Sequence, residues 1–199
     1  MDIEHTIENG ACITSVNGVR GTLGQADVQV LIHMASKLDE NSRYLETGSY
    51  LGCSSLIIAL HSRATVWAHD IWVTEWSELK GGPPPEVKDY FYKFYQMVKD
   101  NKMTNRIIPI RGDSVYTVGI HDDKSIDLAF VDGDHSYDGC LNDLEAVLPK
   151  MKPNCYILVH DCYQDSDCLK ALLYFVNKHN LKFEQVRYSC GMCVIQCQP

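Results

Sequence analysis

Short apolar segments alternate with longer amphipathic segments over most of this chain, and that alternation restricts the fold more than any other feature. The apolar segments are residues 42–46, 64–70, 106–110, 125–132 and 155–161, and the amphipathic ones are residues 26–38, 53–62, 86–102, 138–151 and 166–180. Continuous apolar runs are typical of strands buried on both faces, and the longer segments have the spacing of helices. The pattern therefore predicts a parallel sheet covered by helices on both faces.

The end of the chain departs from this alternation. Residues 181–188 and 191–198 are two further strand-like segments, separated only by Ser189 and Cys190. So short a connection cannot contain a parallel crossover and predicts a hairpin with an antiparallel last strand. The predicted fold is α/β: a doubly wound, Rossmann-like three-layer α-β-α sandwich with a mostly parallel seven-stranded sheet.

Length and charge limit the organisation and the partners. The 199 residues fit one domain, with residues 1–24 as an N-terminal extension. No apolar run reaches the roughly 18 residues of a membrane span, and the chain begins with acids where a signal peptide has positive charge. Acidic residues outnumber basic ones 26 to 18, for a formal charge of −8. We therefore expect a cytoplasmic protein that binds neither membranes nor nucleic acid.

Nine cysteines are many for a chain of this length. Their odd number and their positions in apolar runs indicate reduced, mostly buried thiols. Cys190, Cys193 and Cys197 have a spacing that suggests zinc, but a second paired motif is missing, so packing within strands is the favoured interpretation.

Four of the predicted strands end on an acidic residue. These residues are Glu46, Asp70, Asp132 and Asp161. In open α/β sheets, ligands bind beyond the carboxyl ends of the strands, near the point where the strand order reverses. Polar residues are common at strand ends, but four acids together indicate a binding site.

The first of these acids opens a glycine-containing turn, ETGSYLG at residues 46–52. It lacks the lysine and spacing of a P-loop and the GxGxxG of a dinucleotide site. A carboxylate beside the turn also disfavours a pyrophosphate. A nucleoside with a cationic, phosphate-free attachment fits better, and S-adenosylmethionine has this character. Asp70, 22 residues after Gly48, is placed to accept hydrogen bonds from a ribose.

Five motifs in this order resemble those of class I S-adenosylmethionine-dependent methyltransferases. They are ETGSYLG (46–52), WAHD (67–70), GDS (112–114), FVDGDHSYDG (130–139) and LVHDCY (158–163). The DGDHSY and HD motifs resemble, more narrowly, the branch that includes macrocin O-methyltransferase-like and cephalosporin hydroxylase-like proteins. The resemblance extends from about residue 22 to the end of the chain.

The resemblance implies which residues bind the cofactor. The methionyl and ribose region would contact Glu46, Gly48, Ser49, Tyr50 and Gly52, and Asp70 would bind the ribose hydroxyls. The adenine would lie near Ile71, Trp72, Asp113 and Ser114. In addition, Trp72, Trp76, the GGPPP loop at residues 81–85 and the aromatic residues of 90–95 could form a lid over the acceptor.

The residues expected to act in the methyl transfer itself are Asp132, His135, His160 and Asp161, which we call the reactive end of the site. Methyl transfer is an in-line displacement, so the protein aligns the acceptor hydroxyl and removes its proton. Related O-methyltransferases often hold Mg²⁺ with acids that match Asp132 and Asp161. Because His160 and Cys162 flank Asp161 and are softer ligands than Mg²⁺ prefers, another divalent cation or a metal-free histidine base remains an alternative.

The resulting functional hypothesis is O-methylation of a small-molecule hydroxyl by an S-adenosylmethionine-dependent methyltransferase. A homodimer is a candidate oligomeric state. Two alternatives stay open at this point: a nicotinamide-dependent oxidoreductase, and a methyltransferase-like domain kept for binding.

Overall fold

The computed structural model describes residues 1–72 and 90–198. Ten strands lie within them: β1 Ile3–Glu8, β2 Ala11–Val16, β3 Val19–Gly21, β4 Arg43–Thr47, β5 Thr65–Asp70, β6 Ile107–Arg111, β7 Ile126–Val131, β8 Met151–Val159, β9 Lys182–Gln185 and β10 Cys193–Gln196. The α-helices there are α1 Gln25–Ala35, α2 Cys53–His61, α3 Tyr90–Asp100, α4 Ser114–Thr117, α5 Tyr137–Val147 and α6 Asp167–Lys178. Short 3₁₀ helices follow α4 and α5, at Val118–Ile120 and Leu148–Lys150.

The main sheet has seven strands in the order β6-β5-β4-β7-β8-β10-β9. Strands β4 to β8 pair in parallel, and β10 pairs antiparallel with both β8 and β9. The predicted mostly parallel, seven-stranded α/β fold is confirmed. The strand order reverses at β4, whose neighbours are β5 and β7, so the carboxyl ends of these strands form the expected binding edge.

Two hydrophobic cores cover the two faces of this sheet. Successive residues of β4 point to opposite faces: Tyr44 packs in the core with Leu31 of α1 and Ile57 of α2, whereas Leu45 packs with Leu144 of α5 and Phe175 of α6. All six side chains are fully buried. A strand that buries both of its faces carries apolar side chains at successive positions, which is why continuous apolar runs identified the sheet.

The predicted C-terminal hairpin is present, with shorter strands than expected. β9 and β10 pair antiparallel, with Cys193 opposite Gln185, so the connection is residues 186–192 rather than two residues. Cys193 and Cys197 are buried, and Cys190 in the connection is half-buried. The first two thiols therefore pack in the core, as the strand-packing interpretation predicted.

A separate three-stranded antiparallel sheet, β1-β2-β3, precedes the main sheet and was not predicted. Its two turns are Asn9-Gly10 and Asn17-Gly18, with all four residues at positive φ. Asn-Gly in a two-residue turn is the strongest short-range hairpin signal, so the sequence did contain this information. The sheet was not predicted because β1 is mostly polar and β3 has only three residues.

Some predicted elements fall on residues 73–89, outside the described ranges. They are the first four residues of the predicted helix 86–102, the GGPPP loop and Trp76. Within the described ranges, no helix combines the length and the apolar character that crossing a membrane requires.

Candidate active site

A cleft of about 880 Å³ opens at the carboxyl ends of β4, β5, β6 and β7. Its lining includes Gly48, Tyr50, Asp70, Ile71, Trp72, Asp113 and Ser114, all expected at the cofactor, together with Asp132 and His135 from the expected reactive end. The remaining expected residues, Glu46, Ser49, Gly52, His160 and Asp161, do not line it. Four of the five motifs therefore contribute to one cavity, and the fifth, residues 158–163, does not line it.

The turn between β4 and α2 lies against the end of β7. Gly48 has a φ of +83°, and a Cβ atom there would collide with the backbone of Asp132. Gly52 has a φ of +88°, and a Cβ there would collide with Met97. We expected these glycines to allow close approach of a ligand; the structure adds that they allow close packing of the protein itself.

Asp70 holds this turn to the end of β5. Its two carboxylate oxygens accept hydrogen bonds from the backbone N–H groups of Tyr50, at 2.7 Å, and Trp72, at 2.5 Å. Burial raises the pKa of Asp70, and the two N–H donors oppose that effect. Each oxygen keeps a free lone pair for a ligand, so the fixed carboxylate can still accept from a diol.

Aromatic side chains form one wall of the cleft. Trp72 is buried, donates from its indole N–H to the carbonyl oxygen of Tyr50 at 2.8 Å, and packs against Phe91 and Phe94 of α3. The Tyr50 and Tyr90 rings have centroids 5.1 Å apart. An aromatic wall of this kind suits a nucleobase or another planar group.

Asp113 and Ser114 begin α4 on the opposite side. The Asp113 carboxylate accepts from the N–H of Val115 at 3.0 Å and caps the helix. The Ser114 hydroxyl donates to Asp143 of α5 at 2.5 Å. Asp143 is buried, and burial raises its pKa. It lines the cleft but was not predicted, because nothing in the helical pattern of residues 138–151 distinguishes a carboxylate that faces a distant loop.

Glu46 is directed into the core instead of the cleft. It is fully buried, accepts a hydrogen bond from the Ser55 hydroxyl, and lies 3.4 Å from the Tyr44 hydroxyl. Burial raises the pKa of Glu46 to about 7, against the serine hydrogen bonds that favour its ionised form. Ser49 is also buried, with its hydroxyl 3.5 Å from the carbonyl oxygen of His69. Both residues support the turn from within.

The expected reactive residues meet beyond β7 and β8. His135 Nε2 lies 3.1 Å from Asp161 Oδ2 and 3.7 Å from Asp132 Oδ1. The nearby carboxylates of Asp132 and Asp161 raise the pKa of His135 to about 9, although burial opposes them. Asp161 has a φ of +57°, a conformation that side-chain-bearing residues rarely adopt and that functional sites often retain.

These three side chains could hold a cation. Asp132, His135 and Asp161 offer ligand atoms that all lie within 4.8 Å of one another. The sequence offered no suitable third ligand next to Asp161, and His135 is placed where it could be one. Cys162 is fully buried, and its thiol lies 3.6 Å from the carbonyl oxygen of His160, so it is not directed at this cluster.

His160 lies behind the cluster, in the core. Its Nδ1 is 3.4 Å from Asp132 Oδ1 and 3.5 Å from Asp161 Oδ2, and its Nε2 is 3.6 Å from Asp27 Oδ2. Burial disfavours a charged ring, but Asp132, Asp161 and Asp27 together raise the pKa of His160 well above its usual value. A buried imidazole surrounded by carboxylates is suited to holding them in place and poorly suited to taking a proton from an acceptor. Asp27, on α1, was not predicted.

A second histidine pair lies below the cleft. His69 Nε2 and His121 Nε2 are 3.0 Å apart, and both residues are buried. His69 Nδ1 is 2.9 Å from the Thr117 hydroxyl, and Arg43 lies 3.2 Å from His121 Nδ1. These contacts give both histidines a structural role, although His69 also contributes to the lining of the cleft.

Acidic side chains dominate the lining of the cleft. Its carboxylates are Asp70, Asp113, Asp132, Asp134, Asp138 and Asp143, and no lysine or arginine lines it within residues 1–72 and 90–198. Its potential therefore favours cationic or neutral ligands over anionic ones.

Comparison with known proteins places this geometry in a family. A family model described as a methyltransferase domain matches residues 45–162. No curated protein sequence matches the chain. Solved structures show the same fold at low sequence identity. A methyltransferase from Geobacter sulfurreducens is 16% identical, with a TM-score of 0.64 over 88% of this chain and 79% of that one.

Two further structures agree. A putative caffeoyl-CoA O-methyltransferase from Staphylococcus aureus is 13% identical, with a TM-score of 0.64 over 85% of this chain and 82% of that one. TYW2 from M. jannaschii, solved in complex with AdoMet, is 15% identical, with a TM-score of 0.53 over 98% of this chain and 84% of that one. Because the family model spans more than half of the sequence, including the turn, the strand-end acids and the reactive cluster, this chain belongs to the methyltransferase-domain family.

Proposed function

We propose that this protein transfers a methyl group from S-adenosylmethionine to a hydroxyl group of a small molecule. The observation that carries the proposal is that one cleft, in a methyltransferase-family chain, is lined by Asp70 and Asp113 on one side and by Asp132 and His135 on the other. The AdoMet complex of TYW2 and the putative caffeoyl-CoA O-methyltransferase, both of the same fold, support the cofactor and the reaction class.

The cofactor assignment rests on charge and shape. S-adenosylmethionine carries an ammonium and a sulfonium, which an acidic cleft without lysine or arginine in its described lining attracts. Asp70 would accept from the ribose hydroxyls, and the adenine would lie between Ile71 and Trp72 on one side and Asp113 and Ser114 on the other. Glu46 would act indirectly, by holding the turn.

The proposed chemistry is an in-line displacement. The bond between the methyl carbon and sulfur breaks as the bond to the acceptor oxygen forms, and the hydroxyl proton passes to a base. His135 is half-exposed at the cleft, but its raised pKa means that it already holds a proton at neutral pH. Base catalysis by His135 alone is therefore disfavoured.

A divalent cation held by Asp132, His135 and Asp161 fits the donor set better. Two carboxylate oxygens and one imidazole nitrogen suit Mn²⁺, Fe²⁺ or Zn²⁺ more than Mg²⁺, which prefers oxygen ligands. A cation there would lower the pKa of an acceptor hydroxyl. His135 would lose its proton on ligation, and the two carboxylates would orient the acceptor.

The lining also limits the acceptor. No lysine or arginine in the described part of the cleft could pair with a phosphate-bearing acceptor, and six carboxylates would repel it, so a neutral or cationic small molecule is proposed, and nucleic acid and coenzyme A thioesters are not. The cytoplasmic location, the lack of membrane binding and a homodimeric state remain predictions.

Calorimetric titration with S-adenosylhomocysteine, with NAD⁺ in a parallel experiment, tests the cofactor. We expect only the adenosyl ligand to bind, in the micromolar range. Turnover is then measured with S-adenosylmethionine and Mn²⁺ on catechols, sugars and amino alcohols, with a coenzyme A-linked phenol as the anionic comparison. Asp161→Asn should abolish turnover and retain cofactor binding, whereas the surface control Asp167→Asn should retain both.

Failure to bind S-adenosylhomocysteine would refute the proposal. Binding without turnover on any hydroxyl compound would instead favour a non-catalytic binding domain.

A further inference from the structure

Asp27 is a buried carboxylate outside the cleft. It is the third residue of α1 and is fully buried. It accepts hydrogen bonds from the backbone N–H groups of Gly24, at 2.7 Å, and Cys190, at 3.0 Å. These two contacts cap the helix and fasten the connection between β9 and β10. They account for a carboxyl or an amide oxygen at this position but do not require a negative charge.

The negative charge of Asp27 faces the imidazole ring of His160. Asp27 Oδ2, the oxygen that accepts from both N–H groups, also lies 3.6 Å from His160 Nε2. On the far side of the same ring, Nδ1 lies 3.4 Å from Asp132 Oδ1 and 3.5 Å from Asp161 Oδ2. Phe130 packs edge-on against the ring, with centroids 5.9 Å apart. The imidazole is thus enclosed between the α1 carboxylate and the two carboxylates of the reactive cluster.

The two carboxylate oxygens next to His160 Nδ1 also lie next to His135, which lines the cleft. Asp132 Oδ1 and Asp161 Oδ2 are also the atoms nearest to His135 Nε2, at 3.7 and 3.1 Å. The two oxygens therefore lie between His135 on the solvent side and His160 on the core side. Any rotation of the His160 ring therefore alters its contacts with the carboxylates of Asp132 and Asp161 at the same time.

We propose that Asp27 is a positioning residue for the methyl-transfer site, acting through His160 to fix the carboxylates of Asp132 and Asp161 in the arrangement that orients the acceptor and can bind a cation. The role of Asp27 in methyl transfer rests on the proposed function, whereas its effect on the positions of the His160, Asp132 and Asp161 side chains does not. Outer partners that orient ligating groups typically contribute 10- to 100-fold to metal affinity or activity.

The isosteric variant Asp27→Asn separates this role from helix capping. Its amide oxygen can still accept from Gly24 and Cys190, but the negative charge that faces His160 is gone. Asp127→Asn is the matched control: Asp127 accepts from the backbone N–H of Arg43 at 2.9 Å and pairs with Lys152 at 2.7 Å, at the opposite end of β7. It has the same kind of structural contacts and no link to His160.

Three measurements are made on wild type, Asp27→Asn and Asp127→Asn. Crystal structures report the positions of the His160 ring and of the Asp132 and Asp161 carboxylates. Calorimetry reports the affinity for Mn²⁺ and, separately, for S-adenosylhomocysteine. For Asp27→Asn we expect a displaced ring and displaced carboxylates, Mn²⁺ affinity lower by about tenfold, and unchanged affinity for S-adenosylhomocysteine. Asp127→Asn should match wild type in all three.

A double-mutant cycle with His160→Gln adds a second criterion. If Asp27 acts through His160, then Asp27→Asn should cost little further Mn²⁺ affinity when His160 is already replaced. Equal losses in both backgrounds would overturn the inference, as would an Asp27→Asn crystal structure with His160 and both carboxylates in their wild-type positions. Should wild type fail to bind S-adenosylhomocysteine, the proposed function falls, but the crystal structures still decide whether Asp27 positions these groups.

Discussion

The buried His69–His121 pair predicts a specific dependence of stability on pH. Arg43 can only donate to His121 Nδ1, so His121 carries its proton on Nε2 and donates it to His69 Nε2. His69 is then protonated at Nδ1 and donates to Thr117. Every nitrogen is satisfied only while both rings are neutral, because a further proton would place two N–H groups against each other.

The pKa values give the sign and the size of the effect. Burial, then the charge of His121, lowers the pKa of His69 to about 3. Burial, then the charge of Arg43, lowers the pKa of His121 to about 4. Because the usual value for histidine is about 6.5, the pair contributes its full stability above that pH and loses it as the pH falls towards 4. At pH 5 each ring should have lost about 2 kcal/mol, or about 4 kcal/mol for the pair.

The assay is chemical unfolding at fixed pH values between 5 and 7.5, for wild type and for His69→Gln/His121→Gln. Other groups titrate in this range, among them Glu46, so the difference between the two proteins is the informative quantity. Wild type should be the more stable protein at pH 7.5, and its advantage should shrink by about 4 kcal/mol by pH 5. Parallel curves for the two proteins would refute the assignment of two neutral, hydrogen-bonded rings.

Three further predictions concern the cleft. Asp70→Asn should weaken binding of S-adenosylhomocysteine at least about tenfold by calorimetry, since a charged hydrogen bond is worth about 1.5–3 kcal/mol; equal affinity would remove Asp70 from the ribose site. Gly48→Ala should lower the free energy of unfolding by at least about 2 kcal/mol, because the added Cβ meets the Asp132 backbone at positive φ; wild-type stability would contradict the observed packing. Mn²⁺ binding near pH 7.5 should release close to one proton from His135, detected as a buffer-dependent calorimetric heat; heats independent of the buffer would exclude His135 as a ligand.

The main sheet could be predicted from the sequence because its signals are local. Residues such as Tyr44 and Leu45 must both be apolar in a doubly covered strand, and an acid at the end of each parallel strand reaches the same edge. Asp70, Asp113 and Asp132 therefore lie around one cleft, as expected. The N-terminal sheet carried a local signal as well, in Asn9-Gly10 and Asn17-Gly18, which outweighs the polar character of β1.

What could not be predicted depends on which way a side chain points. Glu46 ends a strand like the other acids, but Ser55 one helical turn into α2 draws its carboxylate into the core. Asp27 and Asp143 lie in ordinary amphipathic helices, and only the assembled fold brings them to His160 and Ser114. The same holds for His135 as a possible third ligand, since residue spacing says nothing about how the loop after β7 folds back on Asp161.

The most direct test of the account is a crystal structure grown with S-adenosylhomocysteine and Mn²⁺. We predict the ribose at Asp70, the adenine beside Trp72 and Asp113, and cation density among Asp132, His135 and Asp161. An adenosyl ligand bound elsewhere, or a diphosphate on the backbone amides around Gly48, would contradict it.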